Sequence, residues 1–238
     1  MFTAKEFRQK ALESLKGRWF KAIIAGFLAT MLGATSAFNF DINFGSNTTT
    51  VNTTAVNAPV RPNLLAQLPP QFWLFFGMVV LLVIIMIVIG WIVVPGYARF
   101  NLDVADGAEE VRVKTLFRYF RDWPRMALAG FLRGLYIGLW SLLLIIPGIM
   151  AHYSYLMTGF ILCEYPELSA EEALALSKGM MRGNRWRLFC LEFSFIGWIF
   201  LAALTLGIGS LWLVPYMQTA FAHFYREVST AYFKNLNA

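Results

Sequence analysis

Two charged side chains, Arg133 and Glu192, stand inside long apolar stretches of this sequence. A charge in apolar surroundings is costly, so it is expected to have a partner or a function. Arg133 follows Trp123 by ten residues, and Glu192 follows Trp186 by six. If each tryptophan marks a helix start, the two depths differ by about two turns at most, and the side chains can meet. One interpretation is a structural ion pair, or Arg133 reaching back to the helix end. The other makes Arg133 the anchor of an anionic ligand group that Glu192 gates.

Hydroxyl, amide and imidazole groups on two later apolar stretches form a second candidate site. A cavity between these stretches would hold a small polar or amphipathic molecule; the alternative is hydrogen bonding between helices, worth about 1 kcal/mol per bond. The candidates are His152, Tyr155 and Thr158 on one stretch, and Gln218, Thr219 and His223 on the other, followed by Arg226. Because the two histidines are expected near opposite helix ends, the sequence predicts no metal site.

Motifs of the common enzyme classes are absent from the sequence. It has no His-Glu-x-x-His, no Gly-x-Ser-x-Gly, no Gly-x-x-x-x-Gly-Lys and no paired carboxylates in an apolar stretch. The basic residues lie at expected helix ends and not on an exposed basic fold, which argues against a nucleic-acid partner. Cys163 and Cys190 are expected to be unpaired structural thiols. We therefore expect no catalytic residue and no cofactor.

The composition places the chain in a membrane. Of its 238 residues 58% are hydrophobic and 14% charged, and the mean hydropathy is +0.57. The stretch from Phe72 to Val94 has no charge and exceeds the roughly 20 residues that cross a bilayer core of about 30 Å. The N-terminal segment is charged and lacks a small-residue cleavage site, so we do not expect a signal peptide.

Six apolar stretches predict six transmembrane helices. Between Phe38 and Gln71 the only basic residue is Arg61, whereas the other Lys and Arg residues cluster at the opposite helix ends. This asymmetry predicts a bacterial cytoplasmic membrane protein with both termini in the cytoplasm. The predicted helices are Trp19–Phe38, Phe72–Pro95, Pro124–Leu144, Pro147–Cys163, Leu188–Leu206 and Ser210–Tyr225.

The segment 39–70 is predicted to be a flexible loop outside the cytoplasm. It is rich in Asn and Thr and carries few charges, which is typical of flexible linkers. Its two Asn-x-Thr patterns, at Asn47 and Asn52, arise readily by chance in such a composition. We therefore assign them no role.

A repeated phrase divides the chain into three units within one membrane domain, residues 1–238. "GRWFKAIIAGFL" from Gly17 returns as "RDWPRMALAGFL" from Arg121, and a third Trp follows at Trp186. "TAKE", "GAEE" and "SAEE" stand about fifteen residues before the three tryptophans. The first and third have the spacing of capping boxes, Thr3 with Glu6 and Ser169 with Glu172. The sequence predicts three parallel repeats, 3–106, 107–168 and 169–232, each made of an amphipathic helix of about four turns and a transmembrane hairpin.

The amphipathic helices are predicted to lie on the inner membrane surface. In the second unit Val113, Leu116, Phe117 and Phe120 fall at i, i+3, i+4 and i+7, with basic residues on the remaining face. Such helices would contact anionic inner-leaflet lipids, with Trp19, Trp123 and Trp186 as interfacial anchors. The alternative is ordinary packing of their apolar faces against the rest of the protein.

Small residues and prolines predict how the helices pack. Gly130, Gly134 and Gly138 recur every four residues in the third crossing, and Gly26 and Thr30 take matching places in the first, followed by Ala34. These two crossings are predicted to be inner, tightly packed helices, whereas Met78 to Ile89 is expected to face lipid. Helix breaks are predicted near Pro95, Pro147 and Pro215.

The stretch "YSYLMTGFILCEYPELSAEEALALSKGMMRGNRWRLFCLEFSFIGWIFLAALTLGIGSLWLVPYMQTAFAHFY", together with "PGYARFNL" and "ALESLKGRW", resembles a family of bacterial integral membrane proteins known as domain of unknown function 975. The resemblance covers nearly the whole chain apart from the outer loop. It implies a bacterial cytoplasmic membrane location and brings no activity, cofactor or catalytic residue.

Two functions fit these observations. One is an all-α membrane protein that binds or moves a small polar or lipid-like molecule through its helix bundle. The other is a structural or accessory subunit that docks anionic lipid or a partner protein through basic interfacial helices.

Overall fold

Helices make up all the regular structure in the described part of the chain. A computed structural model describes residues 2–33, 70–108, 110–205 and 207–236, and the predicted all-α class is confirmed there. The predicted loop lies, except for Pro70, outside the described residues, as do Asn47 and Asn52.

Ten α-helices and one 3₁₀ helix are present in the described ranges. The α-helices are α1 (Ala4–Leu15), α2 (Trp19–Met31), α3 (Pro70–Ala105), α4 (Trp123–Leu143), α5 (Ile145–Tyr155), α6 (Thr158–Glu164), α7 (Ala170–Met180), α8 (Arg185–Phe193), α9 (Ile196–Leu204) and α10 (Ser210–Leu236). The 3₁₀ helix, Val113–Asp122, leads directly into α4.

Four helical segments of the described chain are long and apolar enough to cross a membrane. They correspond to the second to fifth predicted crossings, within two residues at their C-terminal ends where the segment is shorter: Gln71–Ala105, Val113–Leu143, Ile145–Glu164 and Arg185–Leu204. α2 is apolar but has only 13 described residues, and α10 is not in this set. Twelve of the 27 residues of α10 are buried and nine more are partly buried, so its neighbours are largely protein and its sequence tolerates more polar residues.

Both predicted capping boxes are confirmed. In α1 the Thr3 N–H donates to Glu6 Oε2 at 2.6 Å, and the Glu6 N–H donates to Thr3 Oγ1 at 3.4 Å. In α7 the matching distances between Ser169 and Glu172 are 2.7 and 3.2 Å. The backbone N–H of Thr3 or Ser169 stabilises the charged carboxylate and lowers the pKa of each glutamate below its usual value. The helices have 12 and 11 residues, about three turns and not the predicted four.

The apolar faces of α1 and α7 pack against protein. Phe7 of α1 is buried and contacts Phe224 of α10, with ring centroids 5.4 Å apart. Leu174 and Ser177 of α7 are buried, and Ser177 Oγ donates to the Ser154 carbonyl oxygen at 2.8 Å. For these two helices the packing alternative is the correct one, because α10 and the α4–α6 region present apolar surfaces to them.

The helix before α4 sorts its side chains into three rows, because a 3₁₀ helix has 3.0 residues per turn. Leu116 and Tyr119 form the buried row. Phe117, Phe120 and Trp123 form an exposed aromatic row, 46%, 38% and 53% exposed. The exposed basic row contains Arg118 and Arg121. The predicted single stripe through Val113, Leu116, Phe117 and Phe120 is therefore wrong, since it assumed 3.6 residues per turn.

Two of the three predicted proline breaks are wrong, because Pro95 and Pro215 lie inside continuous helices. Near Pro147, which lies in the first turn of α5, the chain is interrupted at Leu144 between α4 and α5. Within the predicted fourth and fifth crossings the helix is interrupted at residues 156–157 and 194–195. At each of these two interruptions a carbonyl oxygen accepts a side-chain hydrogen bond: Tyr155 O from Thr158 Oγ1 at 2.8 Å, and Ser194 O from Arg8 Nη1 at 3.0 Å. These bonds satisfy backbone groups that a break leaves without a helical partner.

Gly96 is the point where the 3₁₀ helix rests on α3. A Cβ atom at this position would lie 2.2 Å from the backbone oxygen of Leu116, so any side chain would push the two backbones apart. Gly77, on the same helix, has no atom within 4 Å of the position that a Cβ would take. Comparing a substitution at Gly96 with one at Gly77 therefore distinguishes the effect of close packing from the effect of helix propensity.

We predict that Gly96→Ala destabilises the protein by about 1–3 kcal/mol through overpacking. Gly77→Ala is the control, expected to be neutral or to stabilise by about 0.5–1 kcal/mol because alanine favours helices. Thermal unfolding midpoints in mild detergent measure both. Equal midpoints for the two variants would contradict the close contact at Gly96.

Candidate functional site

A cavity of about 360 Å³ lies between α3, α4 and the α5–α6 pair. Most of its wall is apolar. Three of the predicted site residues line it, Arg133, His152 and Thr158. The remaining lining residues are Trp91, Val94, Pro95, Met126, Ala129, Gly130, Gly134, Ile137, Gly138, Gly159 and Leu162.

Arg133 lines the cavity from a segment of α4 whose neighbouring side chains are apolar and exposed. Its neighbours Phe131 and Leu135 are both 51% exposed. Arg133 forms no ion pair or hydrogen bond with any described residue. A guanidinium carries five N–H donors, so the cavity presents an unpaired cation.

Glu192 has a different partner from the one predicted. Its carboxylate accepts a hydrogen bond from Tyr153 Oη, which joins α8 to α5. It forms no ion pair with Arg133 and does not line the cavity. The predicted ion pair and the gating role are therefore wrong: similar depth did not bring the two residues to the same side. Tyr153 lies about 100° around α5 from the cavity-lining His152.

The predicted cavity between the fourth and sixth crossings is not the one that forms. His223 Nε2 is 2.9 Å from Ser14 Oγ of α1, and Thr219 Oγ1 donates to the Pro215 carbonyl oxygen of its own helix at 2.8 Å. Gln218 is partly buried and does not line the cavity. α10 packs mainly against α1, α2 and α3, so α3 takes the position next to α5–α6 that the sequence reasoning gave to α10.

Tyr155 is buried beside the cavity without lining it. Its ring stacks on that of Tyr136, with centroids 5.7 Å apart and an interplanar angle of 25°. This contact joins α4 to α5. Tyr155 is thus a packing residue of this hairpin.

Of the three regularly spaced glycines of α4, only Gly130 is closely packed. A Cβ at Gly130 would lie 2.3 Å from the Trp91 side chain, whereas Gly134 and Gly138 have no atom within 4 Å of such a position. Close packing is thus confirmed for Gly130 and also for Gly26, whose Cβ would lie 3.2 Å from Tyr97 Oη. The prediction of α4 as an inner helix is wrong, because its outer half is exposed.

The region where α3 and α6 end holds an ion-pair cluster that sequence reasoning missed. Arg226 pairs with both Asp106 and Glu164, and Tyr225 Oη donates to Glu164 Oε2 at 2.5 Å. The three charged residues come from the three predicted units. Since they lie 58 or more residues apart along the chain, no local spacing could have identified the cluster.

The three tryptophans stand at the beginnings of their helices. Trp123 and Trp186 are exposed, 53% and 71%, and Trp19 is partly buried. Cys163 and Cys190 are both free thiols, as predicted.

Comparison with known families gives one match, in the C-terminal part of the chain. Residues 141–232 match the family described as a protein of unknown function, DUF975. The predicted resemblance is confirmed over this segment, which runs from the last turn of α4 into α10 and is shorter than predicted. The segment includes His152, Thr158 and Glu192, whereas Arg133 precedes it. No curated protein and no solved structure matches the chain.

We predict that Tyr153→Phe destabilises the protein by about 1–3 kcal/mol, because it leaves the partly buried Glu192 carboxylate without its donor. Glu192→Gln keeps an acceptor for Tyr153 Oη and is expected to cost less. Thermal unfolding midpoints of these variants and their combinations give the coupling energies.

The matched control is the combination of Arg133→Gln with Glu192→Gln. Its two effects should add within about 0.5 kcal/mol, as for residues without contact. A coupling between Arg133 and Glu192 as large as that between Tyr153 and Glu192 would contradict the arrangement.

Proposed function

We propose that this chain is a multi-pass protein of the bacterial cytoplasmic membrane that binds the anionic group of a small ligand at Arg133, without catalysing a reaction. The observation that carries the proposal is the unpaired guanidinium on a cavity of about 360 Å³. This volume falls within the range of about 300–1,000 Å³ that is usual for ligand sites.

Six crossings, with both termini in the cytoplasm, account for the packing of the two chain ends. The Phe2 N–H lies 3.1 and 3.2 Å from the two carboxylate oxygens of Glu227, so the beginning of α1 meets the second half of α10. An even number of crossings is needed to bring them to one side. α2 and α10 supply two crossings beyond the four apolar segments, and α10 is about 40 Å long at 1.5 Å per residue.

Three parallel repeats are supported by two features of the described helices. Capping boxes open the first and third units, and each unit continues into an apolar helix with a tryptophan at its first or second residue. The second unit begins instead with the 3₁₀ helix. The ion pairs of Arg226 then join the three units at the inner end.

The positive charge of Arg133 in the cavity favours a ligand with an anionic group. Arg133 is ten residues beyond Trp123, about 15 Å along α4. An unpaired cation at such a depth is costly unless a ligand or water compensates it, and the Glu192 carboxylate is occupied by Tyr153. An anionic group bound at Arg133 supplies the missing counter-charge.

Native mass spectrometry of the chain released from mild detergent tests this function. We expect a discrete added mass on the wild type that falls at least tenfold in occupancy in Arg133→Gln. Arg182→Gln is the matched control, because it removes an exposed arginine that lies outside both the cavity and the 3₁₀ helix. An adduct that survives Arg133→Gln, or a protein without a discrete adduct, would contradict the proposal.

A second function, docking on anionic lipid, is favoured by the exposed rows of the 3₁₀ helix. Leu116 of the 3₁₀ helix rests on Gly96 of α3, and Gly130 of α4 rests on Trp91 of α3. Trp91 and Gly96 are only about 7.5 Å apart along α3. A straight run from Leu116 to Gly130 would extend about 24 Å. The chain therefore bends between the 3₁₀ helix and α4, so the 3₁₀ helix does not continue the line of α4. We propose that it lies along the membrane surface.

The aromatic and basic rows match the two layers of such a surface. Phe117 and Phe120 suit the boundary of the acyl chains, and Arg118 and Arg121 suit anionic headgroups. Neither arginine forms an ion pair or hydrogen bond with a described residue. Both remain available to lipid.

We predict that phosphatidylglycerol in nanodiscs raises the thermal midpoint of the wild type relative to phosphatidylcholine alone. Arg118→Gln combined with Arg121→Gln should remove most of this increase, because each base near an anionic surface contributes about 1 kcal/mol. Lys5→Gln combined with Lys178→Gln removes two exposed charges from α1 and α7 and serves as the control. Equal losses in both double variants would show a general charge effect and count against docking through the 3₁₀ helix.

A further inference from the structure

The cavity at Arg133 is open on one side, along α4. Gly134 and Gly138 line it, and neither position has an atom within 4 Å of an added Cβ. Gly148 of the same hairpin would instead meet Ser141 Oγ at 2.3 Å. The hairpin is thus closed near its turn and open beside the two glycines.

The surroundings of this opening are apolar. Leu135 and Leu139, next to the two glycines on α4, are 51% and 63% exposed. On α3 every described side chain from Gln71 to Ile87 is exposed, whereas Ile92 and Val93 are buried. Where α3 and α4 cross a bilayer, the opening therefore faces acyl chains and not bulk water.

The size of the cavity limits how much of a ligand it encloses. Its volume of about 360 Å³ is near the lower end for ligand sites, and its polar groups are few: Arg133, His152 and Thr158. A compact charged group fits here. A long apolar chain has to continue through the opening.

We propose that the ligand is an anionic amphiphile, with a carboxylate or phosphate head paired to Arg133 and an acyl chain that leaves beside Gly134 and Gly138 into the bilayer. This inference rests on the proposed anion site and adds the ligand class and the route of entry. A charge-assisted pair with arginine suits both head groups, while the open glycine side provides the space for the chain.

Photolabelling in phosphatidylcholine nanodiscs tests this inference. The probes are a diazirine analogue of oleate and a diazirine analogue of butanoate, which share the carboxylate and differ in chain length. We expect the oleate analogue to label the wild type near residues 134–143, and Arg133→Gln to reduce labelling by both probes at least fivefold. Excess unlabelled oleate or oleoyl lysophosphatidate identifies the preferred head group by competition.

Blocking the opening separates the entry route from the anion site. Gly134→Leu combined with Gly138→Leu should reduce labelling by the oleate analogue at least fivefold and leave labelling by the butanoate analogue within twofold. Gly197→Leu, at an exposed glycine of α9 with no atom near its Cβ position, is the control. The milder pair Gly134→Ala and Gly138→Ala, with an intermediate loss expected, serves if the leucine pair does not fold.

The outcomes distinguish the two proposals. Unchanged oleate labelling in both blocked variants, or the absence of competition by either amphiphile, overturns the amphiphile and its route while the anion site stands. Unchanged labelling by both probes in Arg133→Gln overturns the anion site itself. Equal loss of both probes in the blocked variants also overturns the lateral route, because the short probe needs no space for a chain.

Discussion

Close packing around one stretch of α3, from Trp91 to Tyr97, fixes the positions of four neighbouring elements. Trp91 lies against Gly130 of α4, Val94 against Gly159 of α6, and Tyr97 against Gly26 of α2. At Gly96 the relation is reversed, because the small residue is on α3 and the Leu116 backbone lies against it. Helices already in lipid gain little from further apolar burial, so close approach through small residues is a main source of their association. The cavity is bounded by the elements that this stretch holds.

α4 is packed against protein along one part of its length and exposed along the other. Its first half, with Met126 and Ala129 buried, packs on α3, and its second half is mostly exposed. Arg133 stands at the transition, where the packed side of the helix turns into the open glycine side. The same regular helix thereby provides an exposed apolar surface, an opening and a cation.

Local features were predictable from the sequence, and features that depend on helix neighbours were not. The capping boxes at Thr3 and Ser169 need only residues three apart, and the apolar character of the second to fifth crossings needs only a window of about 20 residues. The expected pairing of Arg133 with Glu192 used depth alone, and depth does not say which way a side chain points around its helix. The stripe on the 3₁₀ helix failed because the hydrophobic pattern does not reveal whether a turn has 3.0 or 3.6 residues.

The polar groups around the cavity define what a ligand must contribute. Thr158 donates to the Tyr155 carbonyl oxygen, so the backbone group freed by the break between α5 and α6 is already satisfied. Glu192 is held by Tyr153, and the Asp106 and Glu164 carboxylates are held by Arg226. His152 forms no hydrogen bond with a described residue, and an imidazole is either neutral or cationic, so it cannot balance the charge of Arg133. With these carboxylates engaged elsewhere, no described residue pairs with Arg133, and the anionic group of the proposed ligand would supply the missing negative charge.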